Sequence, residues 1–347
     1  KKKQAMKSLA KIPATLLSLL LILSFSSCVT EETFDDSPQG NFDALWKLLD
    51  ERYCFFPEKA EAYGLDWNEV NDYYRRMITP NMSQEELFDV CAKMLRELRD
   101  GHVNLSSSFN TARFWDWYEL YPANFSDSIH RLYLGTDYYM TAGIKYRIFN
   151  DNIGYIYCGS FNSGIGSGNL SSIFSKLAIC NGLIVDIRNN QGGLLTTAQA
   201  LAECFTNETI VGGYISHKTG KGHNDFSDPQ PVKLKPAEGM RWQKPVVVLT
   251  NRRCYSAANS FAAYMKACPN TLLMGARTGG GGGLPFSSEL PNGWSIRFSA
   301  CPMFDKDMNP IEFGIEPDVI VNMTRDDMAR NIDTIIETAR KYLNGKK

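Results

Sequence analysis

Three short runs constrain this chain's fold more than any other feature: "GLIVDIR" (182–188), "PVVVLT" (245–250) and "TLLMGAR" (271–277). Each is apolar on both faces and too short for a helix. Strands of that kind are covered on both sides, as in parallel sheets. Helical patterns stand between them: "NLSSIFSKLAIC" (169–180), "LLTTAQALAECF" (194–205) and "SAANSFAAYMKAC" (256–268). "GYIYCGSF" and "WSIRFSA" read as further strands, and "DDMARNIDTIIETARKYL" as one closing amphipathic helix. Strands alternating with helices predict an α/β core with a mostly parallel sheet over 151–347.

The preceding residues have a different texture. Phe42, Leu45, Trp46, Leu49 and Tyr53 recur at helical spacing, and Pro57 and Gly64 interrupt them. Ser83 and Glu86 are spaced as a capping box, and Gly101 follows the helix they open. A small helical N-terminal subdomain is expected over 41–110. An aromatic-rich connecting region (111–150) follows, in which strands are not assignable.

Residues 1–27 read as an export signal: lysines, then the apolar "LLSLLLILSF", then small residues before Cys28. The pattern resembles a bacterial lipoprotein signal with Cys28 as the lipidated residue; a simple secretory signal is the alternative. The acidic stretch 28–40 reads as a solvated tether. Location in the cell envelope follows as an expectation, as an outer-membrane lipoprotein facing the periplasm or the surface. A net charge of −1 gives no reason to expect nucleic acid. The eight cysteines beyond Cys28 are dispersed, mostly inside apolar runs, which favours small buried hydrophobes over metal ligands. No cofactor or metal is called for.

Two strand–helix junctions carry candidate chemistry, because reactive groups in α/β sheets gather there. Ser256 sits at the entry to a helix. Its hydroxyl could attack a carbonyl while the Ala257 amide stabilises the oxyanion; a plain N-cap is the alternative. "NNQGG" supplies Gly192 and Gly193, either of which could donate a second N–H. A serine needs a base. Of four histidines, His130, His217 and His223 lie in unassigned or exposed-looking segments, whereas His102 follows the helix exit Asp100–Gly101.

In order along the chain, "LRDGHVNL", "GLIVDIRNNQGG", "PVVVLTNRRCYSAANSFAAYMKA", "MGARTGGGG" and "IEFGIEPDVIV" resemble the tail-specific, or C-terminal-processing, serine peptidases. The resemblance runs from Phe42 to about Val321 and implies a crotonase/ClpP-like core. The position of that family's catalytic lysine is Gly281 here, so the serine–lysine dyad is absent. The tricorn-core-like branch uses serine, histidine and glutamate, which maps to Ser256, His102 and Glu312, with Glu316 as the alternative acid. That branch also carries a serine just before the histidine, where this chain has Gly101. The resemblance implies a serine endopeptidase acting on peptides or unfolded protein tails, with oligomeric state undetermined. A silent peptide- or ligand-binding relative is the alternative. Glycan capture on Trp115, Trp117 and Tyr118 is a third. The glycine run 279–283 is expected as a mobile or tight loop at the cleft rim.

Overall fold

The computed structural model describes residues 35–345. The signal at 1–27 and Cys28 therefore lie outside the described residues.

The three apolar runs lie side by side. β9 (Val246–Thr250) is buried along its whole length and pairs in parallel with β6 (Gly182–Asp186) and β10 (Thr271–Gly275). β5 (Ile153–Tyr157) pairs in parallel with β6, and β13 (Val319–Ile320) with β10. β4 (Ile144–Ile148) and β3 (Tyr139–Thr141) extend the far edge antiparallel, giving the order β13-β10-β9-β6-β5-β4-β3. α7 (Ser167–Leu177), α8 (Leu195–Ala202) and α9 (Ala257–Ala267) share one apolar core with this sheet. α11 (Thr334–Asn344) closes the other core through Ile335, Ile336, Ala339 and Leu343. The single closing helix expected from the sequence is two. α10 (Arg325–Ala329) stops, Asn331 turns at φ +59°, and Asp333 caps α11 by accepting from the Ile335 and Ile336 amides.

A second, antiparallel sheet escaped the sequence reading. Its order is β2-β1-β12-β7-β8, with β11 (Gly283–Glu289) also paired to β12 (Ser295–Phe304). β1 (Asn104–Ser106) and β2 (Thr111–Arg113) are three residues each, too short and polar to show alternation. β7 (Ile210–Ile215) and β8 (Gln230–Leu234) complete it. α1 (Pro38–Arg52), α2 (Phe56–Tyr63), α3 (Trp67–Arg75) and α4 (Gln84–Arg96) pack against this sheet. Phe42, Leu45, Leu49, Leu87 and Met94 meet Trp294, Ile296 and Phe298 of the β12 region in one core. β1 pairs with β12, so the strand after His102 is stitched to the C-terminal half of the chain.

α1 starts at Pro38, inside the stretch expected as tether. Ser37 caps it by accepting from the Gly40 amide, and proline suits the first helical position. The capping box of α4 forms as read: Ser83 Oγ accepts from the Glu86 amide at 3.2 Å, and Glu86 Oε2 from the Ser83 amide at 2.8 Å. In the connecting region lie β2, α5 (Asp116–Glu119), α6 (Asp127–Leu134), β3 and β4. Seven of the eight described cysteines are buried, as small hydrophobes are, and Cys301 is half-buried. No helix among the described residues is long and apolar enough to cross a membrane.

Candidate active site

Ser256 joins β9 to α9, and its backbone is left-handed at φ +57°, ψ −124°. A non-glycine residue there is strained by roughly 1–3 kcal/mol, a cost that surrounding contacts must hold in place. The Ser256 amide donates to Gly280 O at 2.9 Å and the Tyr255 amide to Asn190 O at 3.1 Å. The side chain makes no capping bond, so the N-cap alternative does not describe it. Ser256 Oγ lies 3.0 Å from His102 Nε2, although the residues are 154 positions apart.

His102 is buried at 4% exposure. Its other ring nitrogen, Nδ1, faces Ser299 Oγ of β12 at 3.4 Å. Ser299 Oγ donates to Asp100 Oδ2 at 2.8 Å, and Asp100 Oδ1 accepts the His102 amide at 2.7 Å. Because the Ser299 proton is given to Asp100, the serine oxygen is left to accept from His102 Nδ1–H. That tautomer leaves Nε2 free to take the Ser256 proton. Tyr53 Oη and Tyr255 Oη also donate to Asp100, at 3.1 and 3.3 Å. Burial pushes the Asp100 carboxyl up, but Lys59 and His102 nearby, with the His102 amide and Ser299 hydroxyl bonds, hold it below its ordinary range.

Glu312 is not where the resemblance places it. Its Oε1 accepts from Lys59 Nζ at 2.7 Å and its Oε2 from the Gly282 amide at 3.1 Å. The imidazole's acid-side partner is Ser299, backed by Asp100. Burial pushes the Glu312 carboxyl up to about 7, with Lys59 pulling it down. Glu316 is paired instead with Arg277 in an exposed ion pair. Gly101 explains why no serine precedes the histidine: an added Cβ would come 2.6 Å from Trp117 Nε1 and 2.9 Å from Tyr255 Oη.

Two asparagines whose part the sequence reading passed over join the turns that carry the expected oxyanion donors. Asn189 and Asn251 exchange bonds, Asn189 N to Asn251 Oδ1 at 3.0 Å and Asn251 Nδ2 to Asn189 Oδ1 at 2.8 Å. This locks "NNQGG" to the turn that carries Ser256. Gly192 lies so close that an added Cβ would be 2.8 Å from Ser256 Cβ and 2.9 Å from the Ala257 amide nitrogen, with φ at +100°. The Gly192 N–H is committed to Asn190 Oδ1 at 2.9 Å. Of the expected donors, Gly193 and Ala257 remain, and Ala257 opens α9, where amides lack intrahelical acceptors.

The glycine run is tightly turned, with Gly280 and Gly281 at φ +88° and +74°, but it is packed inside rather than exposed at the rim. Gly279 to Gly283 are all buried, because this backbone packs between Ser256 and Glu312 through the bonds already given. The open cleft, about 490 Å3, is lined by His102, Ser256, Gly192, Gly193, Asn104 and Arg297 among others. A larger cavity of about 670 Å3 lies past Tyr255 and Trp117, lined by Lys59 and Glu312 but by neither Ser256 nor His102. Trp117 is buried against Tyr255, their rings stacked at 4.1 Å, so it does not form an exposed platform with Trp115 and Tyr118. His130 is buried against Tyr157, while His217 and His223 pair with Cys301 and Asp50.

A buried imidazole against a serine hydroxyl, beside free backbone amides, is the equipment of nucleophilic acyl transfer. Comparison with known proteins agrees with that class. The Peptidase family S41 model matches residues 152–321, and the Tricorn protease C1 domain model matches residues 34–96. A crystal structure of a "putative peptidase" from Parabacteroides merdae is 50% identical, covering 89% of this chain and 97% of that one at a TM-score of 0.85. Mature CPAF shares the fold at 14% identity and a TM-score of 0.69, over 89% of this chain and 95% of that one. The chain belongs to peptidase family S41. A carboxy-terminal-processing protease of Bartonella bacilliformis is 24% identical over 213 residues, 59% of this chain. That match spans 47% of the relative, less than two thirds of its length.

Proposed function

We propose that this protein is a serine endopeptidase that cleaves peptides or unfolded protein tails outside the cytoplasm. The observation that carries this reading is the 3.0 Å approach of His102 Nε2 to Ser256 Oγ. Ser256 attacks the scissile carbonyl carbon and its proton passes to His102 Nε2. The oxyanion is held by the Gly193 and Ala257 amides. As the C–N bond breaks, His102 returns the proton to the leaving amine, and a water then releases the acyl group by the same route. Asp100 acts through Ser299 to hold the tautomer and to stabilise the imidazolium. Glu312 contributes to the packing behind it through Lys59.

The test is a panel of peptides and an unfolded protein, with fragments read by mass spectrometry. New termini with the wild type and none with Ser256→Ala are expected. A wild type that leaves every substrate intact, while peptides bind to it tightly, would replace this reading with that of a silent binding protein. The envelope location rests on the pattern ending at Cys28 and is tested by the mature N-terminus. A lipidated Cys28 is expected, and an unmodified chain retaining residues 1–27 would overturn it.

The positioning role of Ser299 has its own signature. Burial holds the His102 imidazole down to about 4; Asp100 opposes this and the Arg297 guanidinium adds to it. The base is therefore neutral above that pH, and the acid limb of kcat/KM is expected well below 6.5. The same depression means that this group's contribution to stability is full above 6.5 and is lost as pH falls through about 4. Ser299→Ala is expected to lower kcat about 10²-fold, at the low end for acid–base groups, and to move the acid limb lower still. Ser299→Thr, which keeps the hydroxyl, restores most of it. An unmoved limb with a merely smaller folded fraction would make Ser299 structural only.

A further inference from the structure

Three side chains form a row across the second sheet beside the reactive pair. Asn104 of β1 is in register with Arg113 of β2 on one side and with Arg297 of β12 on the other. All three line the cleft that holds Ser256 and His102. Among the described residues neither guanidinium has a carboxylate partner. Arg113 lies only over the Trp115 ring, at 5.2 Å. Burial and the neighbouring Arg113 hold the Arg297 guanidinium below its ordinary range. Fixing two like charges side by side is unfavourable without an anion between them. Asn104 is 6% exposed, and its Nδ2 donates to His102 O at 2.7 Å and to Gly101 O at 3.3 Å. Its Oδ1 is buried with no partner. A buried acceptor left without a donor is costly and calls for a ligand N–H or a water.

Resting on the peptidase reading, we propose that Arg113, Asn104 and Arg297 form a carboxylate-reading subsite, in which the two guanidiniums take a carboxylate of the peptide near the scissile bond while Asn104 Oδ1 accepts a peptide N–H. Guanidinium forks suit carboxylates, and the row sits where a bound chain must pass to reach Ser256. The carboxylate has two sources, an acidic side chain or the substrate's own C-terminus. Among the described residues no carboxylate bonds either guanidinium in place of the substrate: Asp100, behind His102, is committed to Ser299, Tyr53 and Tyr255.

Three matched peptides separate the sources: one with an internal Glu and an amidated end, one with Gln and a free C-terminus, and one with Gln and an amidated end. The position of the Glu is varied on both sides of the cleaved bond. One or both carboxylate peptides are expected to exceed the neutral one in kcat/KM by about tenfold, the lower range for bonds to charged groups. The peptide that gains identifies the source. In Arg113→Glu with Arg297→Glu the ratio is expected to fall below one and a Lys-containing peptide to become favoured. The ratio is unaffected by a smaller folded fraction. Equal rates for all three peptides in the wild type would overturn the subsite while leaving the peptidase intact. Peptide binding to Ser256→Ala, read by fluorescence anisotropy, separates the two readings from the other direction. If the wild type cleaves nothing but the carboxylate peptides bind preferentially to either protein, the subsite stands and the peptidase reading falls.

Discussion

Ser256→Ala is expected to lower kcat by about 10⁴- to 10⁶-fold on any peptide the wild type cleaves, with little change in stability. The magnitude follows from how nucleophile and base act as a unit. Removing either one disables the same step, so single losses approach the loss of both. His102→Ala is therefore expected to fall into the same range, and the double variant to be hardly worse than either single one. The structure explains why the two should couple so tightly. The strained φ of +57° at Ser256 is held by the Ser256 amide on Gly280 O and by Gly192 packed against the serine Cβ. The imidazole is held from behind by Ser299. Alanine at 256 removes a hydroxyl that is only partly buried, and His102 Nε2, which loses this partner, lines the open cleft where water can replace it. Additive losses in kcat, each of tenfold or less, would mean that the 3.0 Å approach is not the chemistry.

Arg188→Met is expected to cost about 3–5 kcal/mol of stability, the range for leaving buried charges without their partner. Arg188 is fully buried at the end of β6. Its Nε and Nη2 donate to Asp186 Oδ1 and Oδ2 at 2.9 and 2.7 Å, and its Nη1 to Asp333 Oδ1 at 3.1 Å. Asp333 is the cap of α11, so one guanidinium ties the closing helix to the central sheet. Tyr155 Oη donates to the same Asp186 at 2.8 Å. Without the arginine side chain two carboxylates stay buried with no cation, left only with the Tyr155 phenol and the backbone amides of residues 188, 335 and 336. The next residues are Asn189 to Gly193, so catalysis should suffer beyond the loss of folded protein. Urea unfolding of Arg188→Met against wild type reads the first effect; a change below about 1 kcal/mol would show that water reaches these carboxylates. Arg188→Met combined with Asp333→Asn is expected to recover part of the loss.

The parallel sheet was legible because its strands are buried on both faces and announce themselves as unbroken apolar runs. Ser256 stood out at its strand–helix junction and His102 at a helix exit, but their pairing was legible only through the family resemblance, because either position alone suits a helix cap as well. The antiparallel sheet was not. β1 and β2 are three residues long, and β12 reads the same whether its neighbours are parallel or antiparallel. Ser299 followed from that blindness: only the pairing of β1 with β12 brings it behind His102, and nothing near position 299 marks it. The family pattern pointed to Glu312 for the same reason. It records residue types in order along a chain, whereas Lys59, 253 positions away, decides which group that carboxylate faces. The glycine run turns tightly as expected but was misplaced at the rim, because glycine serves exposed loops and close backbone packing equally well, and only the neighbours distinguish them.

A fluorophosphonate probe, followed by peptide mapping, tests the central claim most directly. Covalent labelling confined to Ser256, abolished in Ser256→Ala and reduced at least tenfold in His102→Ala, is the result this account predicts, since only a hydroxyl whose proton has a base to go to reacts readily. Labelling at another serine, or labelling of Ser256 at an undiminished rate without His102, would contradict it.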